Sequence, residues 1–444
     1  MSQRAQFTTR IGVIATTVGS AVGLGNIWRF PYEAGQHGGG AFLLIYCLFI
    51  LVIGIPVITA EFIIGRSARA NVYGAFKKLP GSRAWNIMGF IGILSALMIL
   101  SFYSVVAGWT ADYIVSSVQD FSGAATQAEL HRQFGEFTAS WQSVGWTLVF
   151  LALNFFILRK GVQKGIERMS NLMMPLLFGI LLIFCLNSLM MPGTAEGLTF
   201  LFKPDFSRLT PDVWLGAMGQ AFFSLSIGLG CLITYSSYFS KDTRLLKSAA
   251  TIASLDTLVA VLAGIIIFPA VFSYGESPAA GPKLVFEVLP SIFRNMDLGR
   301  LWSVLFFVLL LLASLTSTIS MAEISIAYFT EERRMSRSKA TALTILIAMI
   351  FGSLCALSFG PLDDFKLFGL TIFDLFDFTS STVLLPIGGI LISLYVGWVL
   401  GRTRIANQLP ATGRIIISLL MICLRYIAPA GILLVFLSGL GLLG

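Results

Sequence analysis

Two glycine pairs, Val22-Gly23-Leu24-Gly25 and Ile227-Gly228-Leu229-Gly230, each interrupt a long apolar stretch, and each is flanked by side chains that offer oxygen ligands. Ser20 and Asn26 stand beside the first and Ser224 and Ser226 beside the second, while Thr316-Ser317-Thr318 lies in another apolar run. Glycine in a helix interior costs roughly 1 kcal/mol relative to alanine, so two per string predict helices that come apart at these points. An opened helix leaves N–H groups at one half's N-terminus, which suit a carboxylate, and C=O groups at the other half's C-terminus, which suit a small cation. Oxygen-only ligation selects an alkali or alkaline-earth cation over zinc or copper. With two histidines, His37 and His131, the chain has little soft ligation to offer. Unpaired backbone at membrane depth is tolerated only around protein or a polar cavity, and broken helices at matching places in two halves mark a carrier's binding site.

The elements that must position these groups follow from composition. Hydrophobic residues make up 56% of the chain and charged residues 12%, with a mean hydropathy of +0.85, against roughly 25% charge in soluble domains. An all-α polytopic membrane protein is predicted. Segments long enough to cross, about 20 apolar residues each, fall at 11–35, 41–66, 86–117, 141–158, 169–190, 212–238, 245–273, 299–329, 338–358, 370–400 and 413–442, numbered spans 1 to 11. The glycine strings fall in spans 1 and 6, each opening a five-helix unit, 11–190 and 212–400, with 413–442 as an added helix and 1–444 as one transporter domain. An odd number of crossings per unit makes the second an inverted repeat of the first. The net charge of +8 is spread over alternate short loops and so encodes topology rather than nucleic-acid binding. Arg66, Arg69, Lys77, Lys78 and Arg83, then Arg159, Lys160, Lys164 and Arg168, and later Lys241, Arg333, Arg334, Arg402 and Arg404 put the N-terminus in the cytoplasm. The opposite loops hold fewer, among them Arg132, Lys203, Arg208 and Lys366. No small-residue cleavage site follows the first span, which is expected to be retained. The five cysteines, Cys47, Cys185, Cys231, Cys355 and Cys423, lie in apolar segments without metal-type spacing and read as core residues.

Ionisable residues inside a span cost several kcal/mol each and call for a role. Glu61, Asp256, Glu323, Asp374, Asp377 and Arg425 are of this kind. Arg29, one turn beyond the first break, is expected to pair with Asp377 as a gate; Glu323, Asp374 and Arg425 are given no role.

The run Gly19-Ser20-Ala21-Val22-Gly23-Leu24-Gly25-Asn26-Ile27-Trp28-Arg29-Phe30-Pro31 resembles the first-helix signature of the neurotransmitter:sodium symporters. Gly219-Gln220-Ala221-Phe222-Phe223-Ser224-Leu225-Ser226 and Ala313-Ser314-Leu315-Thr316-Ser317 extend the likeness across nearly the whole chain, toward the family's bacterial amino-acid transporter branch. The resemblance implies the bacterial leucine transporter-like fold of eleven transmembrane helices, with broken helices 1 and 6. It implies two Na⁺ sites: one from Ala21, Asn26, Ser224 and Asp256 with the substrate carboxylate, the other from Gly19, Val22, Ala313, Thr316 and Ser317. The substrate site would comprise Ser20, Ala21, Gly23, Leu24, Gly25, Ile99, Tyr103, Phe223, Ser224, Ser226, Leu229, Ser317 and Met321. Arg29 and Asp377 would form the outer gate, Arg4, Ser237, Tyr238 and Glu331 the inner one, and Glu61 would satisfy unwound backbone. Gly23 stands where aminergic members carry an acid, which leaves room for an α-carboxylate, and the apolar pocket favours a neutral, hydrophobic amino acid. Tyr46, Gln220 and Ser224 match a chloride shell whose remaining serine is Ala260 here, while Asp256 replaces an asparagine, so chloride is not expected. A carboxylate there could also return a proton. Gly165 and Pro175 match a spacing at which the fifth helix unwinds.

The expectation is a sodium-coupled amino-acid symporter of the bacterial inner membrane, surrounded by membrane lipid and using no organic cofactor. A non-transporting amino-acid sensor of the same fold is the alternative. A membrane enzyme is disfavoured, because the chain has no His-Glu-x-x-His, Gly-x-Ser-x-Gly or phosphate-cradling loop.

Overall fold

The computed structural model describes residues 7–119, 127–278 and 284–442. Among them nine helices are long and apolar enough to cross a membrane: Gly40–Ala68, Arg83–Gln119, Trp141–Leu158, Val162–Ser188, Leu245–Ser273, Gly299–Glu331, Arg337–Leu357, Ile372–Val399 and Arg414–Gly439. These are spans 2 to 5 and 7 to 11. Span 1 is a bent pair, Ile11–Ala21 and Gly25–Gln36, with 53° between its halves. Span 6 is likewise two pieces, Pro211–Ser224 and Cys231–Ser236, the second too short to cross alone. Counted as one crossing it fills the remaining predicted place.

Spans 3 and 8 pack along each other at the centre, and the faces they bury carry Ser101, Ser104, Ser314, Ser317 and Thr318. Most of these hydroxyls return to the carbonyl one turn earlier, as Ser104 does to Leu100 and Ser314 to Leu310, which removes the cost of burying them. Leucine and isoleucine at the perimeter, such as Leu176, Leu346 and Leu419, are exposed, the inside-out pattern of a lipid-facing rim.

Three of these spans contain wider π-type turns: Ile50–Gly54 in span 2, Phe378–Leu384 and Tyr395–Val399 in span 10, and Cys423–Ile427 in span 11. Such turns displace a carbonyl from the hydrogen-bond ladder and cluster at functional places. Span 5 begins with one, Val162–Glu167, and then runs wound through Pro175 to Ser188. The opening expected from Gly165 and Pro175 is therefore not seen. Gly165 has a packing reason instead, since a Cβ there would lie 2.4 Å from the carbonyl oxygen of Ile157.

Candidate functional site

The first break is held open by partners that each take one freed backbone group. Helix ends at Ala21 as Val22 turns extended, with φ −67° and ψ 115°. The Gly23 N–H donates to Asn26 Oδ1 at 3.0 Å and the Leu24 N–H to the Tyr103 hydroxyl at 2.9 Å. The Val22 carbonyl accepts from Ser317 Oγ at 3.2 Å, and the Gly25 carbonyl from Gln220 Nε2 at 2.8 Å. Gly23 cannot be replaced cheaply: a Cβ would stand 2.6 Å from Ser317 Oγ and 2.8 Å from the Tyr103 hydroxyl.

The second break, residues 225–230, passes through left-handed backbone at Ser226 (φ 51°), Gly228 (φ 89°) and Gly230 (φ 78°). The Gly228 N–H donates to Glu61 Oε1 at 2.9 Å, so the buried acid of span 2 satisfies the unwound backbone. Gly228 also lies backbone to backbone on span 10. A Cβ on it would stand 2.3 Å from the Leu385 carbonyl oxygen, and one on Gly388 2.3 Å from the Gly228 carbonyl oxygen.

Between the breaks sits a fully buried polar cluster. Asn26 Nδ2 donates to Ser224 Oγ at 2.9 Å and to Asp256 Oδ1 at 2.8 Å. Ser224 Oγ donates to Asp256 Oδ2 at 2.7 Å, with the Tyr46 hydroxyl 3.5 Å from the same oxygen. The structure thus gathers Asn26, Ser224 and Asp256 from three spans within hydrogen-bond reach. A carboxylate and a hydroxyl are hard ligands of the kind a small monovalent cation takes, while Asn26 turns its Nδ2 to them and its amide oxygen to the Gly23 N–H. Gln220 Oε1 is buried with no protein partner nearby.

The other expected cation ligands lie on span 1, at Gly19 and Val22, and on span 8, at Ala313, Thr316 and Ser317. Ser317 reaches the first break through Val22, and Gly19 approaches Thr316 closely enough that a Cβ would be 3.3 Å from Thr316 Cβ. The Thr316 hydroxyl accepts no distant donor and itself donates back to Ala313 at 2.9 Å.

Ala21, Gly23, Gly25, Ile99, Tyr103, Phe223, Ser224, Ser226, Leu229, Ser317 and Met321 line one cavity of about 30 Å³. Leu24 lines the larger one above it, and Ser20 turns away, its hydroxyl donating to Thr17 O at 2.7 Å. The larger cavity, about 580 Å³, lies within the usual range of small-molecule sites. It opens between Arg29, Phe102, Phe373 and Asp377, and Phe223 borders both cavities.

Arg29 and Asp377, the expected gate residues, both line that cavity and are not paired while it is open. Arg29 Nε pairs with Glu33 one helical turn on, at 3.2 Å, and its guanidinium lies 4.4 Å from the Phe223 ring centre. Asp377 accepts from Ser381 at 2.8 Å. The i,i+4 spacing of Arg29 and Glu33 was legible in the sequence and favours this local pair.

The opposite end is sealed. Glu331 accepts from the Asn71 N–H and side chain, both at 2.9 Å, and the Phe7 N–H donates to the Tyr238 carbonyl at 3.3 Å. Ser237 donates to the Thr234 carbonyl within its own turn rather than across the seal. Arg4 lies outside the described residues. Sequence reasoning missed the strongest contact of this seal: Glu323, fully buried, takes a two-pronged pair from Arg337 at 2.7 and 3.0 Å and a hydrogen bond from the Tyr238 hydroxyl at 2.8 Å. It also missed Glu167, which accepts from the Thr8 N–H at 3.0 Å and the Thr8 hydroxyl at 2.7 Å and ties the start of span 1 to span 5. An acid in an apolar run was the available signal for Glu323.

A profile of the sodium:neurotransmitter symporter family matches residues 4–129 and 128–442. The uncharacterized sodium-dependent transporter YhdH of Bacillus subtilis is 41% identical over 442 residues, covering 99% of this chain and 98% of its own. A sodium-dependent transporter of Haemophilus influenzae is 37% identical over 99% of this chain and 98% of its own. The sodium-dependent dopamine transporter of Bos taurus is 26% identical over 97% and 68%. The crystal structure of MhsT in complex with L-phenylalanine superposes with a TM-score of 0.90 at 44% identity, covering 98% of this chain and all of that one. Two broken spans whose freed backbone groups are taken by buried side chains, in a bundle that matches a transporter along its whole length, place the chain in the sodium:neurotransmitter symporter family, as a sodium-dependent, multi-pass membrane transporter.

Proposed function

We propose that the protein couples inward Na⁺ flow to uptake of a neutral, hydrophobic L-amino acid by alternating access, independently of chloride. The observation that carries this reading is the buried cluster of Asn26, Ser224 and Asp256 between the two helix breaks. One Na⁺ is taken by these three side chains with the Ala21 carbonyl, and the substrate carboxylate completes the shell, so the two cargoes bind as one unit. A second Na⁺ is held by the carbonyls of Gly19, Val22 and Ala313 with the hydroxyls of Thr316 and Ser317.

Tyr103 accepts from the Leu24 N–H through its lone pairs, and its proton goes to the substrate carboxylate. Ile99, Leu229 and Met321 receive the side chain, with methionine adapting to its shape. The L-phenylalanine carried by MhsT supports a bulky apolar substrate. The fixed charge of Asp256 compensates the cations where Tyr46 and Gln220 would otherwise surround an anion. Phe223 then closes, and Arg29 exchanges Glu33 for Asp377 as the cavity shuts.

Ten of the eleven crossings read as two inverted five-helix units, with span 11 added, in the bacterial inner membrane, N-terminus inside. On that reading the large cavity faces out, and spans 1, 2, 6 and 7 rock against spans 3, 4, 8 and 9. Uptake of labelled amino acids into proteoliposomes tests the proposal, with choline replacing Na⁺ and gluconate replacing Cl⁻. Accumulation that needs Na⁺ but not Cl⁻ is expected. Na⁺-dependent binding without accumulation of any amino acid would replace the symporter by a sensor.

A further inference from the structure

Arg425 lies eleven residues into span 11, about 16 Å along the helix from Arg414. Its surroundings, Leu419, Ile422 and Ile427, are exposed apolar residues of a lipid-facing surface. A charge at such a place needs a partner. From Phe378 to the C-terminus the sequence has four arginines, Arg402, Arg404, Arg414 and Arg425, and no carboxylate. Among the described residues the one polar partner of Arg425 is the Gly397 carbonyl, which accepts from Nε at 2.7 Å.

That contact fixes where the rest of the guanidinium points. Both spans widen into π-type turns at this level, Tyr395–Val399 and Cys423–Ile427. The turn in span 10 presents the Gly397 carbonyl, and glycine admits the arginine stem, since a Cβ there would stand 3.0 Å from Arg425 Cγ. The guanidinium lies 5.0 Å from the Trp398 ring centre, and Trp398 meets Tyr426 edge-on at 5.7 Å. Both aromatic side chains are more than half exposed, at 55% and 56%, and border the guanidinium on the outer surface. Two helical turns closer to the end of span 11, Ser418 accepts from Arg402 at 2.9 Å, which sets a second, exposed guanidinium on the same strip.

We propose that Arg425 and Arg402, framed by Trp398 and Tyr426, form a binding site for the phosphate of an anionic phospholipid on the outer surface of spans 10 and 11. A phosphate matches the planar donors left free on Arg425, and an attached acyl chain matches the apolar surface beside it. A free phosphate ion would satisfy only the first. The site is remote from the substrate cavity and does not depend on which solute is carried.

The test uses full-length protein in phosphatidylcholine vesicles containing a minor fraction of brominated phosphatidylglycerol or, in parallel, brominated phosphatidylcholine. Bromine quenches nearby tryptophan, and the signal lost in Trp398→Phe isolates the quenching of Trp398. Quenching by the anionic lipid should exceed that by the neutral one, with an enrichment of roughly fivefold per engaged arginine. Arg425→Gln should abolish the excess and Arg402→Gln should reduce it by a similar factor. Millimolar inorganic phosphate added to the vesicles that contain brominated phosphatidylglycerol should not reduce the quenching. Equal quenching by the two lipids, or an excess that survives both substitutions, overturns the proposal. Competition by inorganic phosphate overturns the lipid assignment. Should Arg425→Gln fail to fold with the Gly397 carbonyl orphaned, the wild-type lipid comparison and the exposed Arg402→Gln variant decide alone.

Discussion

Replacing Asp256 by asparagine keeps the shape of the cluster and removes its charge. In the native arrangement the carboxylate takes Asn26 on one oxygen and Ser224 on the other, at 2.8 and 2.7 Å. A cation ligated by the carboxylate would sit about 3 Å from the centre of negative charge, an attraction of roughly 5 kcal/mol at an effective dielectric of 20, of which the amide oxygen of the variant, a neutral ligand in the same place, recovers about 2 kcal/mol. The net loss should raise the Na⁺ concentration for half-maximal uptake by about two orders of magnitude. The gap should be filled in part by an external anion, because the Tyr46 hydroxyl, 3.5 Å from the carboxylate, still faces the spot. The assay is Na⁺-activated uptake into proteoliposomes, in chloride and in gluconate, for wild type and Asp256→Asn, with thermal unfolding as the check on folding. Wild type should be indifferent to the anion, whereas the variant should transport better in chloride. A well-folded variant with unchanged Na⁺ activation and no response to chloride would refute both the ligand role and the charge-compensation argument.

Gly228→Ala should destabilise the fold by about 3 kcal/mol or more, since it combines left-handed backbone with a clash against the Leu385 carbonyl that no side-chain rotation relieves; unfolding temperature measures it. Gly23→Ala should lower the unfolding temperature less than Gly228→Ala does and abolish Na⁺-dependent amino-acid binding, measured by scintillation proximity, because the methyl group displaces the Tyr103 and Ser317 hydroxyls, which are side-chain ends that can shift. Glu323→Gln leaves Arg337, whose side chain is 25% exposed, without its countercharge, a loss of about 2–3 kcal/mol. The seal should loosen, seen as increased labelling of a cysteine introduced at Ser320; unchanged labelling would show that the pair does not hold that end shut.

What could be read from the sequence was whatever depends on local pattern. Hydropathy marked the spans to within a few residues, apart from an earlier start to span 5, and the doubled glycines marked both breaks, because helix length and helix interruption are properties of adjacent residues. Choice of partner is not. Arg29 faced several acids in the sequence, and proximity within one helix gave it to Glu33 rather than Asp377. Glu323 was visible as an acid in an apolar run, yet Arg337 and Tyr238 come to it from other segments. The π-type turns left no trace legible in residue type, and with them went the Gly397 carbonyl that fixes Arg425.

The contact between Gly228 and Gly388 bears on how the transporter moves. Neither residue has a side chain that can stretch, rotate or yield, so the unwound piece of span 6 and the middle of span 10 behave as riveted parts in a linkage. Span 10 must then travel with span 6 rather than stay with a static frame. Asp377, three turns further along the same span, is carried by that stroke, so shutting the mouth of the cavity and shifting the unwound segment share a single mechanical degree of freedom.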